Sequence, residues 1–202
     1  LMIKAFVNAG ASFSKQKYLT AADRALMFIL TSMRDKDGQL LRTWRGGTAK
    51  LQAYLDDYAF LVESMLEMHF VTRDDKWLIA ARRLTDDQIR LFYDEANGGF
   101  FFTAHDHEKL LSRTMNAWDS VLPSGNSVSV RNLLRLASLT GDSTYRDRAA
   151  KTLERFAPQM KQNPRGTSNL SLALNEYLDD KDYRSLSERV RQSQAETRTS
   201  PS

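Results

Sequence analysis

Cysteine is absent from the 202-residue chain. That excludes a disulfide framework, a thiolate metal site and a cysteine nucleophile. It is compatible with a reducing compartment, and the expected location is cytoplasmic. Histidine is scarce too, with three residues, His69, His105 and His107. The "HDH" run puts two imidazoles on one face of an extended segment, but the third lies late on a helix, so no metal and no other cofactor is expected. No apolar run reaches membrane-spanning length, and "LMIKAFVNAGASF" lacks the basic flank and cleavage pattern of a signal peptide. No membrane partner is therefore expected. Charge of one sign is missing as well: the net charge is +4, with Lys and Arg interleaved among Asp and Glu. Without a basic stripe, nucleic acid is not an expected partner. Gly46-Gly47 and Gly98-Gly99 read as turns, because neither forms a phosphate loop between a strand and a helix.

What the chain does have is an internal repeat. "TRDDKWL" (72–78) and "TGDSTYR" (140–146) are offset by 68 positions, which pairs Thr72 with Thr140, Asp74 with Asp142, Trp77 with Tyr145 and Ala81 with Ala149. An earlier copy, "KQKYLTAADRA" (15–25), sets Tyr18 and Ala22 59 positions before Trp77 and Ala81. A fourth echo is "LDDKDYRS" (178–185). Each copy reads as a tight turn entering an aromatic-led helix, the signature of a repeat architecture.

Between these turns the apolar period is helical. "YLDDYAFLVESMLEMHFV" is apolar on most faces and so should be buried on most faces, whereas "DKWLIAARRLTDDQIRLFYD" carries one apolar stripe. The pattern predicts inner helices near 1–16, 55–71, 125–139 and 167–178, alternating with outer helices near 18–34, 75–93 and 143–160. Inner-to-outer links are short. Outer-to-inner links are long and open with Asp37-Gly38 or Asn97-Gly98-Gly99, followed by brief strand-like runs at Leu40-Leu41 and Phe100-Phe101-Phe102. Long loops gathered at one end make a layered helical toroid with one elaborate face, where function usually sits.

The motifs "LMIKAF", "AYLDDYAFLVE", "GGFFFT", "LLSR" and "LPSGNSVSVRNLLRLASLTGD" together resemble the C-terminal helical part of the thioredoxin-domain-containing, spermatogenesis-associated protein 20-like family. The resemblance implies an all-α fold, a partial α/α toroid of the six-hairpin glycosidase type. It places an incomplete toroid at 1–180 and a polar, frayed tail at 181–202. The chain departs from the family pattern in lacking the thioredoxin-like domain and its Cys-containing motif, and Thr114-Met115 stands where relatives tend to carry Pro-Lys. If a full toroid needs twelve helices, about seven are here, so the expected partners include the missing N-terminal half or the thioredoxin-like domain. The chain also starts inside an apolar periodic segment, which suggests a fragment.

Shared architecture with sugar hydrolases and epimerases implies a carbohydrate-like ligand in the loop-rich cleft. If the protein is an enzyme, the expected activity is that of a sugar-processing hydrolase or epimerase; the alternative is a non-catalytic helical scaffold that docks a thioredoxin-like domain or another protein. Asp56 and Asp57 open an inner helix at the cleft, where a carboxylate can either exchange a proton or cap the helix, and one can cap while its neighbour faces the cleft. They are the candidate acid/base residues, with Asp119 the other candidate carboxylate. Arg42, Trp44, Tyr58, Arg113, Ser124 and Asn126 are the candidate ligand-positioning residues. Each has a structural reading beside the functional one: Arg113 and Asp119 suit loop bracing, and Ser124 and Asn126 suit helix capping. The 68-residue offset maps Glu63 and Glu67 onto Arg131 and Arg135. Acidic positions thus become basic ones on the next inner helix, which favours charge pairing between packed helices over paired catalytic carboxylates.

Overall fold

The computed structural model describes residues 1–107 and 113–179. The fourth repeat echo at 178–185, most of the "LLSR" motif and the tail at 181–202 fall largely or wholly outside the described residues. Among the described residues seven α-helices and one hairpin follow in order: α1 (Met2–Ser12), α2 (Gln16–Ser32), β1 (Leu41–Arg45), β2 (Thr48–Gln52), α3 (Leu55–Thr72), α4 (Asp75–Phe92), α5 (Gly125–Thr140), α6 (Ser143–Gln162) and α7 (Ser168–Leu178).

The repeat becomes visible as repeated local chemistry. Asp74 caps α4 by accepting from the Lys76 backbone N–H at 3.0 Å, and Asp142 caps α6 by accepting from the Thr144 backbone N–H at 3.0 Å. An aspartate at this position satisfies a backbone donor that the helix itself leaves unpaired. One turn later Trp77 and Tyr145 are buried, and behind them Ala81 and Ala149 are fully enclosed, as is Ala22 of the earliest copy. The preceding inner helices end alike, on left-handed residues, Arg73 after α3 and Gly141 after α5.

α1, α3, α5 and α7 pack side by side as one inner row, and α2, α4 and α6 lie outside it. α3 buries Tyr58, Leu61, Val62, Met65 and Leu66 on several faces, whereas α4 buries the single stripe of Trp77, Ala81, Leu84 and Leu91. Burial on most sides is what the apolar composition of α3 demands. Neighbouring layers are also stitched by polar contacts inside the core: Asn132 donates to the Ala59 carbonyl at 2.8 Å and Gln88 to Ser129 Oγ at 2.6 Å.

Two departures from expectation have clear causes. α1 ends at Ser12 rather than near 16, because Ser14 takes a positive φ of 50° and Lys15 N–H returns to the Gly10 carbonyl. Gly10 lets α2 approach closely, since a Cβ there would strike the Leu19 side chain. The first long link also holds more β structure than the Leu40-Leu41 run suggested: an antiparallel hairpin turning at Gly46-Gly47. Both long links nonetheless open alike. Arg34 bridges Leu40 and Tyr93 bridges Phe100, while Asp35 and Asp94 each accept two backbone N–H bonds within the intervening turn.

Candidate functional site

The long links and the N-termini of the inner helices form one face, and two adjoining cavities open on it. The first, about 400 Å³, is lined by Arg42, Asp56, Asp57, Phe60, Leu61 and other residues of α1–α3. The second, about 460 Å³, is lined by Phe102, Asn116, Trp118, Ser120, Ser124 and their neighbours. Asp56 and Leu122 border both. Asp56 is therefore the carboxylate at the waist of a continuous cleft.

The two aspartates at the start of α3 have divided their duties. Asp57 Oδ2 accepts the Tyr54 backbone N–H at 2.9 Å and so closes the helix start. Asp56 points instead toward the start of α5, where its carboxylate lies against the Gly125 backbone and is favoured by that N–H. Burial pushes the Asp56 carboxyl above its ordinary range, and the charge of Asp57 pushes the same way; the Gly125 bond and Arg42 oppose both. Gly125 permits this approach because a Cβ would overlap Asp56 Oδ1 and the Leu55 side chain.

Arg42, which borders the first cavity, and Phe102, which borders the second, are joined through a stack. The Arg42 guanidinium lies 4.5 Å from the Tyr54 ring centroid, and Tyr54 stacks on Phe102 at 4.7 Å with a 20° interplanar angle. His107 packs against Tyr54 at 5.5 Å, and burial lowers its imidazole from the usual value. His105 turns away, with Nδ1 3.3 Å from the Leu91 carbonyl.

Several expected ligand contacts are placed elsewhere. Tyr58 is 1% exposed; its hydroxyl accepts the Leu40 N–H at 3.0 Å, and burial pushes its pKa up to about 12. Four positions after the N-cap Tyr54, the Tyr58 ring turns inward and joins the core against Phe92. Trp44 meets Phe28 of α2 edge-on at 5.1 Å, because the β1–β2 hairpin folds back over the outer helix. Arg113 stacks on Phe101 at 4.1 Å and donates to the Thr103 and Leu91 carbonyls. Neither Trp44, Tyr58 nor Arg113 lines either cavity.

Asp119 and Arg113 both brace loops, but not with each other. Asp119 Oδ1 accepts from Ser124 N–H at 2.9 Å and Ser127 Oγ at 3.1 Å, and Oδ2 accepts from Asn169 N–H at 2.8 Å. One carboxylate thus ties the start of α5 to the start of α7. Ser124 caps α5 through Ser127 N–H at 3.1 Å. Asn126 is fully buried, accepting from Phe100 N–H and donating to the Phe100 and Asn116 carbonyls. Both border the second cavity with their polar atoms already engaged.

Sequence reasoning missed Phe102, Asn116, Ser120 and Leu122 as cleft walls, and Tyr54 as the ring that joins Arg42 to Phe102. Tyr54 stands two positions before Asp56, which was the available signal; the others come from the long link between α4 and α5, which has no periodicity.

No protein-family model matches the chain. Among curated proteins it is 34% identical over 185 residues to spermatogenesis-associated protein 20 of Rattus norvegicus, covering 87% of this chain and 23% of that protein. The Homo sapiens protein is 32% identical over 87% of this chain and 24% of its own length. The chain thus spans about a quarter of the curated relatives it matches. Among solved structures, a glycoside hydrolase family 76 α-mannanase of Bacteroides thetaiotaomicron aligns with a TM-score of 0.60 at 20% identity, over 78% of this chain and 42% of its own. The cellobiose 2-epimerase of Bacillus thermoamylovorans aligns with a TM-score of 0.61 at 18% identity, over 77% and 42%. Likeness at such low identity shows the fold alone. The chain belongs to the spermatogenesis-associated protein 20-like family and folds as part of an α/α toroid of the six-hairpin glycosidase type.

Proposed function

We propose that the loop-face cleft binds a carbohydrate-like ligand, with Asp56 as the carboxyl that meets its hydroxyl or glycosidic oxygen. The observation that carries this is the position of Asp56 at the junction of the two cavities, while Asp57 and Asp119 are engaged in helix starts. Aromatic walls at Phe102 and Trp118 suit the apolar faces of a sugar ring, and Asn116 and Ser120 suit its hydroxyls. If the site is catalytic, a carboxyl with a raised pKa fits the general-acid role, protonating a leaving oxygen. The toroid neighbours named for a mannanase and an epimerase support the substrate class by analogy.

Saturation-transfer NMR with a panel of mono- and oligosaccharides tests this. Binding is expected for the wild-type chain and is expected to weaken in Asp56→Ala, with unchanged circular dichroism. A folded protein that binds no member of the panel would sink the proposal.

A second reading, a helical scaffold that docks a partner protein, is favoured by one observation: Val121 is 97% exposed beside exposed Leu122 and Trp118 on the same face. Pull-down of a thioredoxin-like domain by the wild type, lost in Val121→Ser with Leu122→Ser, would favour it over the sugar cleft.

A further inference from the structure

Arg42 differs from Arg113 of the second long link and from Arg131 and Arg135 of α5 in what its side chain does. Arg113 spends its fork on two backbone carbonyls, Arg131 pairs with Glu176 at 2.8 Å, and Arg135 pairs with Glu67 at 3.2 Å. Arg42 Nε, in contrast, stands 3.9 Å from Asp57 Oδ2, beyond hydrogen-bond reach, and that oxygen already accepts the Tyr54 N–H. Among the described residues the Arg42 fork makes no hydrogen bond. Among the described residues it is also the one cationic side chain lining either cavity.

This fork, free of hydrogen bonds among the described residues, is held beside Asp57 and Tyr54. The guanidinium lies over the Tyr54 ring, and Tyr54 is backed by Phe102, which borders the second cavity. Packing over Tyr54 already restricts the side chain, so less freedom is lost when a ligand engages the fork. A planar fork presented in this way matches two oxygens of a carboxylate or phosphate.

We infer that the ligand of this cleft is a sugar bearing an oxyanion, held by the Arg42 fork while its hydroxyls face Asp56. The inference rests on the carbohydrate reading of the cleft and adds the anionic group to it. The oxyanion is a carboxylate, as in a sugar acid, or a phosphate, as in a sugar phosphate; both present the same oxygens to Arg42.

Calorimetric titration of the whole chain with glucose, glucuronate and glucose 6-phosphate separates these possibilities. At least one of the two anionic sugars is expected to bind about tenfold or more tightly than glucose, the size of a charge-assisted hydrogen-bond pair. Which of them binds tighter identifies the source of the oxyanion. Arg42→Gln is expected to abolish the preference. Arg42→Lys keeps the charge without the fork and is expected to retain only part of it, which still reads the role should the Gln variant unfold. Equal binding of glucose and both anionic sugars would overturn the inference and leave the carbohydrate reading standing. An anion preference that survives in a folded Arg42→Gln protein would overturn it as well. Binding of none of the three would remove both.

Discussion

Glu67 on α3 and Arg135 on α5 are joined by an ion pair at 3.2 Å, and they stand 68 positions apart, the period of the repeat itself. Equivalent positions on successive inner helices carry opposite charges and meet. The same logic extends along the row. Glu63 takes Lys4 of α1 at 2.6 Å, and Arg131 takes Glu176 of α7 at 2.8 Å. Three pairs therefore link four inner helices in sequence.

Because Glu67 and Arg135 are each 21% exposed, removing one partner strands the other in a largely desolvated seam. Arg135→Met is expected to lower stability by roughly 1–3 kcal/mol in urea unfolding. The swap of Glu67→Arg with Arg135→Glu is expected to recover most of that loss. A swap as damaging as the single replacement would show that the pair contributes through packing rather than charge.

Asp119 accepts bonds from the starts of both α5 and α7. Asp119→Ala should cost roughly 2–4 kcal/mol, since several helix-start donors lose their acceptor at once. Asp119→Asn, which keeps one acceptor oxygen, should cost about half as much. If Asp119→Asn instead kept full stability and abolished a sugar-dependent activity, the carboxylate would be catalytic rather than bracing.

Gly125 leaves room for the Asp56 carboxylate and the Leu55 side chain. Gly125→Ala is expected to destabilise by roughly 1–3 kcal/mol through overpacking. In combination with Asp56→Ala the loss should be smaller than the sum, because one of the two obstructions is gone. Strict additivity in a double-mutant cycle would argue against the contact.

The raised pKa of Asp56 fixes the sign of its pH effect. Its folded carboxyl holds a proton more tightly than the ordinary value of 3.8, so ionisation is harder in the folded state. Its contribution is therefore most favourable below 3.8, declines as pH rises through the folded pKa, and stays constant above it. Asp56→Asn keeps an acceptor for Gly125 N–H but cannot ionise. Its melting temperature relative to wild type should accordingly be higher at neutral pH than below pH 3.8. A difference that does not change across that range would refute the shift.

Much of the architecture was readable from residue order. Asp74 with Asp142, Trp77 with Tyr145 and Ala81 with Ala149 marked equivalent helix starts because capping and first-turn burial are local demands. The all-round apolar pattern of α3 marked it as inner for the same reason. The "PSGNS" stretch was readable as the start of an inner helix, and Ser124 does cap α5. The cleft walls were less readable. Trp44 and Arg113 share the composition of ligand-binding residues, yet one covers Phe28 and the other bonds loop carbonyls. Composition names what a side chain can do, whereas the path of a long loop decides what it meets.

The sequence by itself determined the helices, their inner and outer alternation, the capping aspartates and the opposite charges at repeat-equivalent positions. Each follows from periodicity or from chemistry within a few residues. Only the tertiary structure decided that Asp57 would cap while Asp56 turned toward Gly125, and that Asp119 would serve two helices at once. Those outcomes depend on which N–H groups lie within reach after the helices pack. Asp119 and Asn169 are 50 positions apart, and nothing local to either one brings them together.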